Sequence, residues 1–149
     1  MCNNYDSVFL ENPIDEQDLS AFYSDYYLPY RGEKAWGKYA GIVRRQDHLL
    51  NLKKFNLVAK HLSLKNQPQV KILDIGCGKP DFLYEFKQQT NAECFGIDFK
   101  SAQWDNPKYA GINLSDESVG QFNSTERFDV ITAWHYLEHD YDPVLTINK

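Results

Sequence analysis

Asp74, Gly76, Gly78 and Asp98 are the residues of this chain whose types and spacing could do chemistry. Asp74 stands near the end of the apolar run Val70-Lys71-Ile72-Leu73-Asp74-Ile75, the two glycines follow at once, and Asp98 closes a second run, Cys94-Phe95-Gly96-Ile97-Asp98, twenty residues past Gly78. Glycine lets a backbone turn sharply and approach a ligand with no Cβ in the way. A carboxylate at the end of the next strand can accept hydrogen bonds from both hydroxyls of a ribose diol. Together these residues suit a nucleotide-like cofactor. Either acid alone reads as well as a helix cap or a solvated carboxylate; the order strand, glycine turn, helix, strand, acid favours the site.

The third glycine of a dinucleotide fingerprint would fall at position 81, which is Asp. An acid there repels a pyrophosphate lying near the helix start, whereas Asp74 beside the turn suits a ligand with an amine and no phosphate. That favours an S-adenosylmethionine type of ligand. A second group, His135, Glu138 and His139, has the H-x-x-E-H spacing of inverted zinc peptidases. Zinc needs a third protein ligand, the segment follows a strand instead of lying within a helix, and no metal site is expected. His135, at the strand's carboxyl end, is the better functional candidate of the three.

These residues must be positioned by alternating elements. Val70–Ile75, Glu93–Ile97, Tyr109–Leu114 and Phe128–Trp134 read as strands, with helix or turn over 80–89, 100–106 and 115–122. Alternation of this kind predicts an α/β fold with a parallel sheet and right-handed crossovers, its ligand beyond the carboxyl ends of the strands. Pro80 falls near the first position of the helix after the glycine turn. Upstream, a short helix is expected over 15–28 and a longer one over 41–64, where Leu52, Phe55, Ala59 and Leu62 recur at helical spacing and should lie on the sheet.

Composition narrows the class. A length of 149 residues, 15% aromatic and 25% charged, predicts one soluble globular domain, with a helical region over 1–66 and the α/β core over 67–149. No apolar run approaches the roughly 20 residues of a membrane span, and Met1 is followed by polar residues and Asp6, so a cytoplasmic location is expected. Cys2, Cys77 and Cys94 read as reduced thiols. The net charge of −5 divides into −6 over residues 1–33, +7 over 34–65 and −6 over 66–149. The basic block, with Arg44, Arg45, Lys53, Lys54, Lys60 and Lys65, is expected to be the solvated face of a helix, and nucleic acid is not an expected partner.

Three segments in order carry a resemblance: Asp74-Ile75-Gly76-Cys77-Gly78, then Gly96-Ile97-Asp98, then Phe128 through Leu137-Glu138-His139 followed by Asp142-Pro143. Over about residues 68–145 the chain resembles class I S-adenosylmethionine-dependent methyltransferases, in the subgroup with an LEH…DP segment after the fourth strand. The resemblance implies a Rossmann-like sheet of about four strands in the order 3-2-1-4 and transfer of a methyl group to an unidentified small-molecule acceptor. It also implies that Asp74, Gly76, Cys77 and Gly78 line the methionine part of the cofactor and that Asp98 and Phe99 meet the ribose side. Asn113 and Leu114 would then flank the adenine and Trp134 would pack nearby. From its position at the carboxyl end of the fourth strand, and not from the resemblance, His135 would take the acceptor's proton. The family usually has a glycine where this chain has Pro80 and often an acid where it has Asn113.

The family also continues through three more strands, so the expectation is a shortened domain whose fourth strand is an edge, covered by a second copy or a partner chain. A non-catalytic binding or interaction module is the alternative function. Finally, Tyr23, Tyr26, Tyr27, Tyr30, Trp36 and Tyr39 crowd the N-terminal region beside Arg31. Core packing accounts for such aromatics. As a lid, their ring faces would stabilise a sulfonium and Arg31 would pair with the cofactor's carboxylate.

Overall fold

The run before the glycine turn is continuously apolar because it is covered on both sides. In the computed structural model, which describes residues 14, 15, 18, 32–62, 69–99, 101 and 103–149, strand β1 spans Lys71–Ile75 and buries Ile72, Leu73, Asp74 and Ile75. It lies at the centre of the sheet, pairing in parallel with β2 (Glu93–Ile97) on one side and β4 (Val130–Thr132) on the other; β3 (Asn113–Ser115) pairs in parallel with β2. The order is β3-β2-β1-β4. This is the expected doubly wound arrangement, which puts the ends of β1, β2 and β4 on one rim.

Helix α1 (Ala40–His61) and helix α2 (Asp81–Gln89) pack on one face of the sheet. Phe82 and Phe86 are one turn apart on α2, and Phe86 meets Phe55 of α1 edge to face at a centroid distance of 5.4 Å. Ile72, Leu83, Phe86 and Cys94 are wholly buried there. Each large apolar side chain so placed contributes roughly 1.5–3 kcal/mol of transfer free energy. Gly96 of β2 is what lets α2 come this close, since a Cβ would stand 2.8 Å from both Cys77 Sγ and Leu83 Cδ1. On the opposite face Leu73, Ile75 and Ile97 are covered by Phe95, Phe122, Phe128 and Tyr136.

Several expectations shift. The third strand begins at Asn113 instead of Tyr109. Pro107 cannot donate to a ladder, so Pro107–Tyr109 forms a 3-10 turn capped by Asn106, whose side chain accepts from the Lys108 N–H at 3.1 Å. The fourth strand is the central part of the expected run, because pairing with β1 covers only Val130–Thr132. Pro80 stays as expected beside the first helical position of α2, as its N-cap residue. Helix α1 carries apolar residues on two sides: Phe55 and Val58 face the core, as does Leu62 at its C-cap, while Ile42, Leu49, Leu50 and Leu57 are exposed. The expected helix at 15–28 lies outside the described residues, apart from Asp15 and Asp18. Downstream come a 3-10 turn at Leu137–His139 and helix α3 at Pro143–Asn148, capped by the Asp142 side chain. Among the described residues no helix is long and apolar enough to cross a membrane.

Candidate functional site

The turn after β1 is tied to β2 before it reaches α2. The backbone N–H groups of Gly76 and Cys77 donate to Ile97 O at 2.8 and 3.0 Å, and the Gly78 N–H donates to Asp98 Oδ2 at 2.8 Å. Gly76 has φ +67°, a left-handed backbone that glycine adopts without strain, and a Cβ there would overlap the ring of Tyr136. Trp104 closes the turn from above, its Nε1 donating to Gly78 O at 2.7 Å.

Against this turn lies a cavity of about 450 Å³ lined by Asp74, Gly76, Cys77, Gly78 and Trp134 from the sheet rim, and by Asp47, Asn51 and Lys54 from α1. Asp74 is buried; its Oδ1 accepts from the Thr132 hydroxyl at 2.7 Å. Burial pushes its carboxyl up to about 7, with the Asp98 charge adding to the rise and Thr132 and Lys54 opposing it. Cys77 is a buried thiol raised well above its ordinary range, chiefly by desolvation. It is no nucleophile at neutral pH.

Asp81 differs from its sequence reading. Lys79 Nζ lies 2.8 Å from Oδ2 and Lys108 Nζ 2.5 Å from Oδ1, and the Tyr109 hydroxyl donates to Oδ1 at 2.8 Å. Although burial alone would raise its pKa, these bonds hold the carboxyl below its usual range. The charge is compensated, so the repulsion expected of a bare acid at position 81 has no source. The chemical preference of the cavity rests instead on Asp74.

The other expected residues are distributed as follows. Asp98 is buried and reaches the cavity wall through its bond to Gly78 without lining the cavity itself, and Phe99, one residue on, is exposed and does not line it either. Asn113 and Leu114 line a separate groove of about 370 Å³ along β3 with Phe95 and Phe122, so the structure does not join them to the Asp74 cavity. Trp134 packs edge-on against Phe82 at 5.4 Å, and its Nε1 is buried with no hydrogen-bond partner among the described residues. His135 does not line the cavity. Its side chain is 83% exposed, its φ is +55°, and its Nδ1 lies 3.3 Å from Glu138 Oε1. A backbone hydrogen bond, His135 and His139 hold the Glu138 carboxyl below its usual range. Arg31 and Tyr30 lie outside the described residues, while Trp36 lines the cavity and Tyr39 is exposed.

Lys54 is the site residue that sequence reasoning missed. It was grouped with the solvated basic face, yet it is half-buried, with Nζ 5.0 Å from the centroid of the Trp134 ring. Desolvation lowers its pKa, and Asp74 and Asp47 partly offset this. Asp47, Asn51, Lys54 and Val58 follow the i, i+4, i+7, i+11 spacing of one helix face, and buried Val58 marks that face as the inward one. A longer, 700 Å³ groove beside the cavity is lined by Arg44, Arg45, His48, Tyr84, Glu85 and Lys108.

Comparison with known proteins identifies relatives of the chain. A profile described as a methyltransferase domain matches residues 44–148. The ubiquinone biosynthesis O-methyltransferase of Stutzerimonas stutzeri (strain A1501) is 30% identical over 108 residues, 67% of this chain and 45% of that protein. Among solved structures, the plantazolicin methyltransferase BpumL in complex with triazolic desmethylPZN analog and SAH superposes with a TM-score of 0.57 at 21% identity. That match covers 89% of this chain and 46% of the other. The same enzyme in complex with SAH superposes at 0.51 with 22% identity, covering 90% of this chain and 47% of the other. The chain spans about half the length of the relatives it matches.

Proposed function

The chain belongs to the class I S-adenosylmethionine-dependent methyltransferases, and from that premise we propose that it binds S-adenosylmethionine at the rim of β1, β2 and β4 and serves methyl transfer to a small-molecule acceptor. The observation that carries this reading is the joined geometry of Asp74, the glycine turn and Asp98: one buried acid near the end of β1, another just past β2, and the turn fastened to the second by the Gly78–Asp98 bond beside a cavity of about 450 Å³. An amine finds its partner in Asp74, and ribose hydroxyls find acceptors in the Asp98 carboxylate. In this reading Gly76, Cys77 and Gly78 give backbone approach, Phe99 and Trp134 give apolar walls, and Asn113 and Leu114 reach the base only if the cofactor extends along β3. Arg31 is proposed for the carboxylate.

When bound, the cofactor supplies an electrophilic methyl on a sulfonium, which an acceptor heteroatom attacks in line as the neutral thioether leaves. The chain's part is mainly to hold the two in reach and to exclude water. His135, at the carboxyl end of β4, is the proposed proton acceptor from the nucleophile. The name of the Stutzerimonas relative supports an oxygen nucleophile. A cytoplasmic setting belongs to the same reading, supported by the free, buried Cys77 and Cys94.

A calorimetric titration of the 149-residue chain with S-adenosylhomocysteine, S-adenosylmethionine and NAD tests it. Heat is expected from the first two and not from NAD, and Asp98→Ala should weaken that binding about tenfold or more. A folded chain silent toward both adenosyl ligands would reduce the reading to shared ancestry. A second reading, a binding module completed by a second copy or partner chain at β4, is favoured by Ile131, which is 58% exposed, and by exposed Val144, Leu145 and Ile147 of α3. Mass in solution separates the two, because a monomer that methylates needs no partner.

A further inference from the structure

Lys54 is a charged group of the cavity to which the proposed chemistry gives no role. It arises from α1, opposite the sheet rim, and holds its ammonium 5.0 Å from the centroid of the Trp134 ring. Asp74 and Asp47 both favour its charge, while burial disfavours it. An aromatic face in a cavity that two acids, Asp74 and Asp47, also line is the environment that a small organic cation seeks when water is partly excluded. The lysines near Asp81, by contrast, are engaged with that carboxylate: Lys79 at 2.8 Å and Lys108 at 2.5 Å. Lys54 alone of the three stands over an aromatic wall of the cavity, on a four-carbon stem that can withdraw toward solvent.

Resting on the cofactor reading above, we propose that Lys54 is a specificity-determining residue. Its ammonium occupies the cation corner formed by Trp134, Asp74 and Asp47. A sulfonium ligand must displace it, whereas the neutral thioether product is under no such requirement. The site is thereby biased toward product over charged cofactor, and the bias is set by one side chain on α1. Unlike Asp74, which offers the same charge to the amine of either ligand, Lys54 discriminates between them by the charge at sulfur.

The test uses the full chain and its Lys54→Met and Lys54→Arg variants. Calorimetry should show Lys54→Met improving S-adenosylmethionine relative to S-adenosylhomocysteine by about three- to tenfold, with Lys54→Arg keeping the original ratio. An equal change for both ligands would mean that Lys54 meets a group they share, and the proposal would be wrong. A second arm needs no adenosyl group. Trimethylsulfonium should shift the indole signal of Trp134, identified through Trp134→Phe, at several-fold lower concentration in Lys54→Met than in the original chain. Superimposable titrations would overturn the proposal. If this difference appeared while neither adenosyl ligand bound, the cofactor reading would fall and the discrimination between the two ligands with it, leaving Lys54 only as the occupant of a cation site.

Discussion

The carboxylate of Asp98 accepts the backbone N–H of Gly78 at 2.8 Å, so the end of β2 is fastened to the glycine turn of β1 by the very side chain proposed to hold a ribose. One acid therefore has two duties, and substitutions separate them. Asp98→Ala leaves a part-buried N–H without its acceptor, at a cost of roughly 1–3 kcal/mol, and removes the ribose partner. Asp98→Asn keeps an acceptor for Gly78 and loses the charge. The expected pattern is a lowered melting temperature for Ala, a nearly unchanged one for Asn, and cofactor affinity reduced about tenfold or more in both. Undiminished affinity in the Asn variant would show that the charge is not what holds the ligand.

Asp74 links stability to pH. Its folded-state pKa is raised from 3.8 to about 7, first by burial. An acid whose folded value lies above its unfolded one binds the proton more tightly when folded, so its contribution to stability falls as pH rises from about 4 through about 7. Asp74→Asn removes that dependence while keeping an acceptor for Thr132, which bonds Asp74 at 2.7 Å. At pH 8 the variant should melt higher than the original chain by roughly 2–8 °C, and the two should converge near pH 4. Binding of an amine-bearing ligand should be lost in the same variant. A variant that melts lower at pH 8 would mean that Thr132 and Lys54 support the ionised carboxylate better than water does.

Gly76 is fixed by two independent constraints, its φ of +67° and the ring of Tyr136 where a Cβ would stand. Left-handed backbone costs a side-chain residue about 1–2 kcal/mol, and overpacking against the ring adds about 1–3 kcal/mol. Gly76→Ala should therefore be strongly destabilising in urea. Tyr136→Ala vacates the space, so the double variant should be more stable than the sum of the single changes implies, by about 1 kcal/mol or more. Strict additivity would place the whole cost in the backbone.

The parts of this site that were legible in the sequence are those set by local covalent pattern. β1 and β2 are buried on both faces, which writes them as continuous apolar runs, and Asp74, Gly76, Gly78 and Asp98 are fixed by their place at strand ends. The third strand was misplaced because Tyr109 reads as a strand aromatic, when Pro107 holds it in a turn whose hydroxyl serves Asp81. The compensation of Asp81 was invisible for a related reason: Lys108 comes from 27 residues away and meets it only in the folded chain. Lys54 was hidden by its neighbours. Arg44, Arg45, Lys53 and Lys60 are exposed as a basic helical face predicts, and charge composition alone does not reveal that Lys54 lies a quarter-turn round from Lys53, toward Val58. Asn113 and Leu114, placed by resemblance, show that a residue can keep its order in the chain without sharing the cavity.

The last prediction concerns His135. It sits one residue beyond Trp134 with φ +55°, a conformation uncommon for a residue bearing a Cβ, and its imidazole is 83% exposed with Glu138 at 3.3 Å. Strain of this kind persists where the surroundings fix it, and it turns the side chain out at the strand's carboxyl end, where an acceptor would approach. If the imidazole takes the acceptor's proton, His135→Ala should lower kcat about 100-fold while S-adenosylhomocysteine affinity changes less than about twofold, because the ring does not line the cofactor cavity. His135→Gly gives the stronger comparison. It relieves the left-handed backbone at a similar entropic cost, so its stability should stay within about 1 kcal/mol of the original chain. A loss of turnover in that variant then follows from the missing imidazole and not from unfolding. Full turnover in both variants, on an acceptor that the original chain methylates, would remove His135 from the chemistry and leave positioning as the protein's whole contribution.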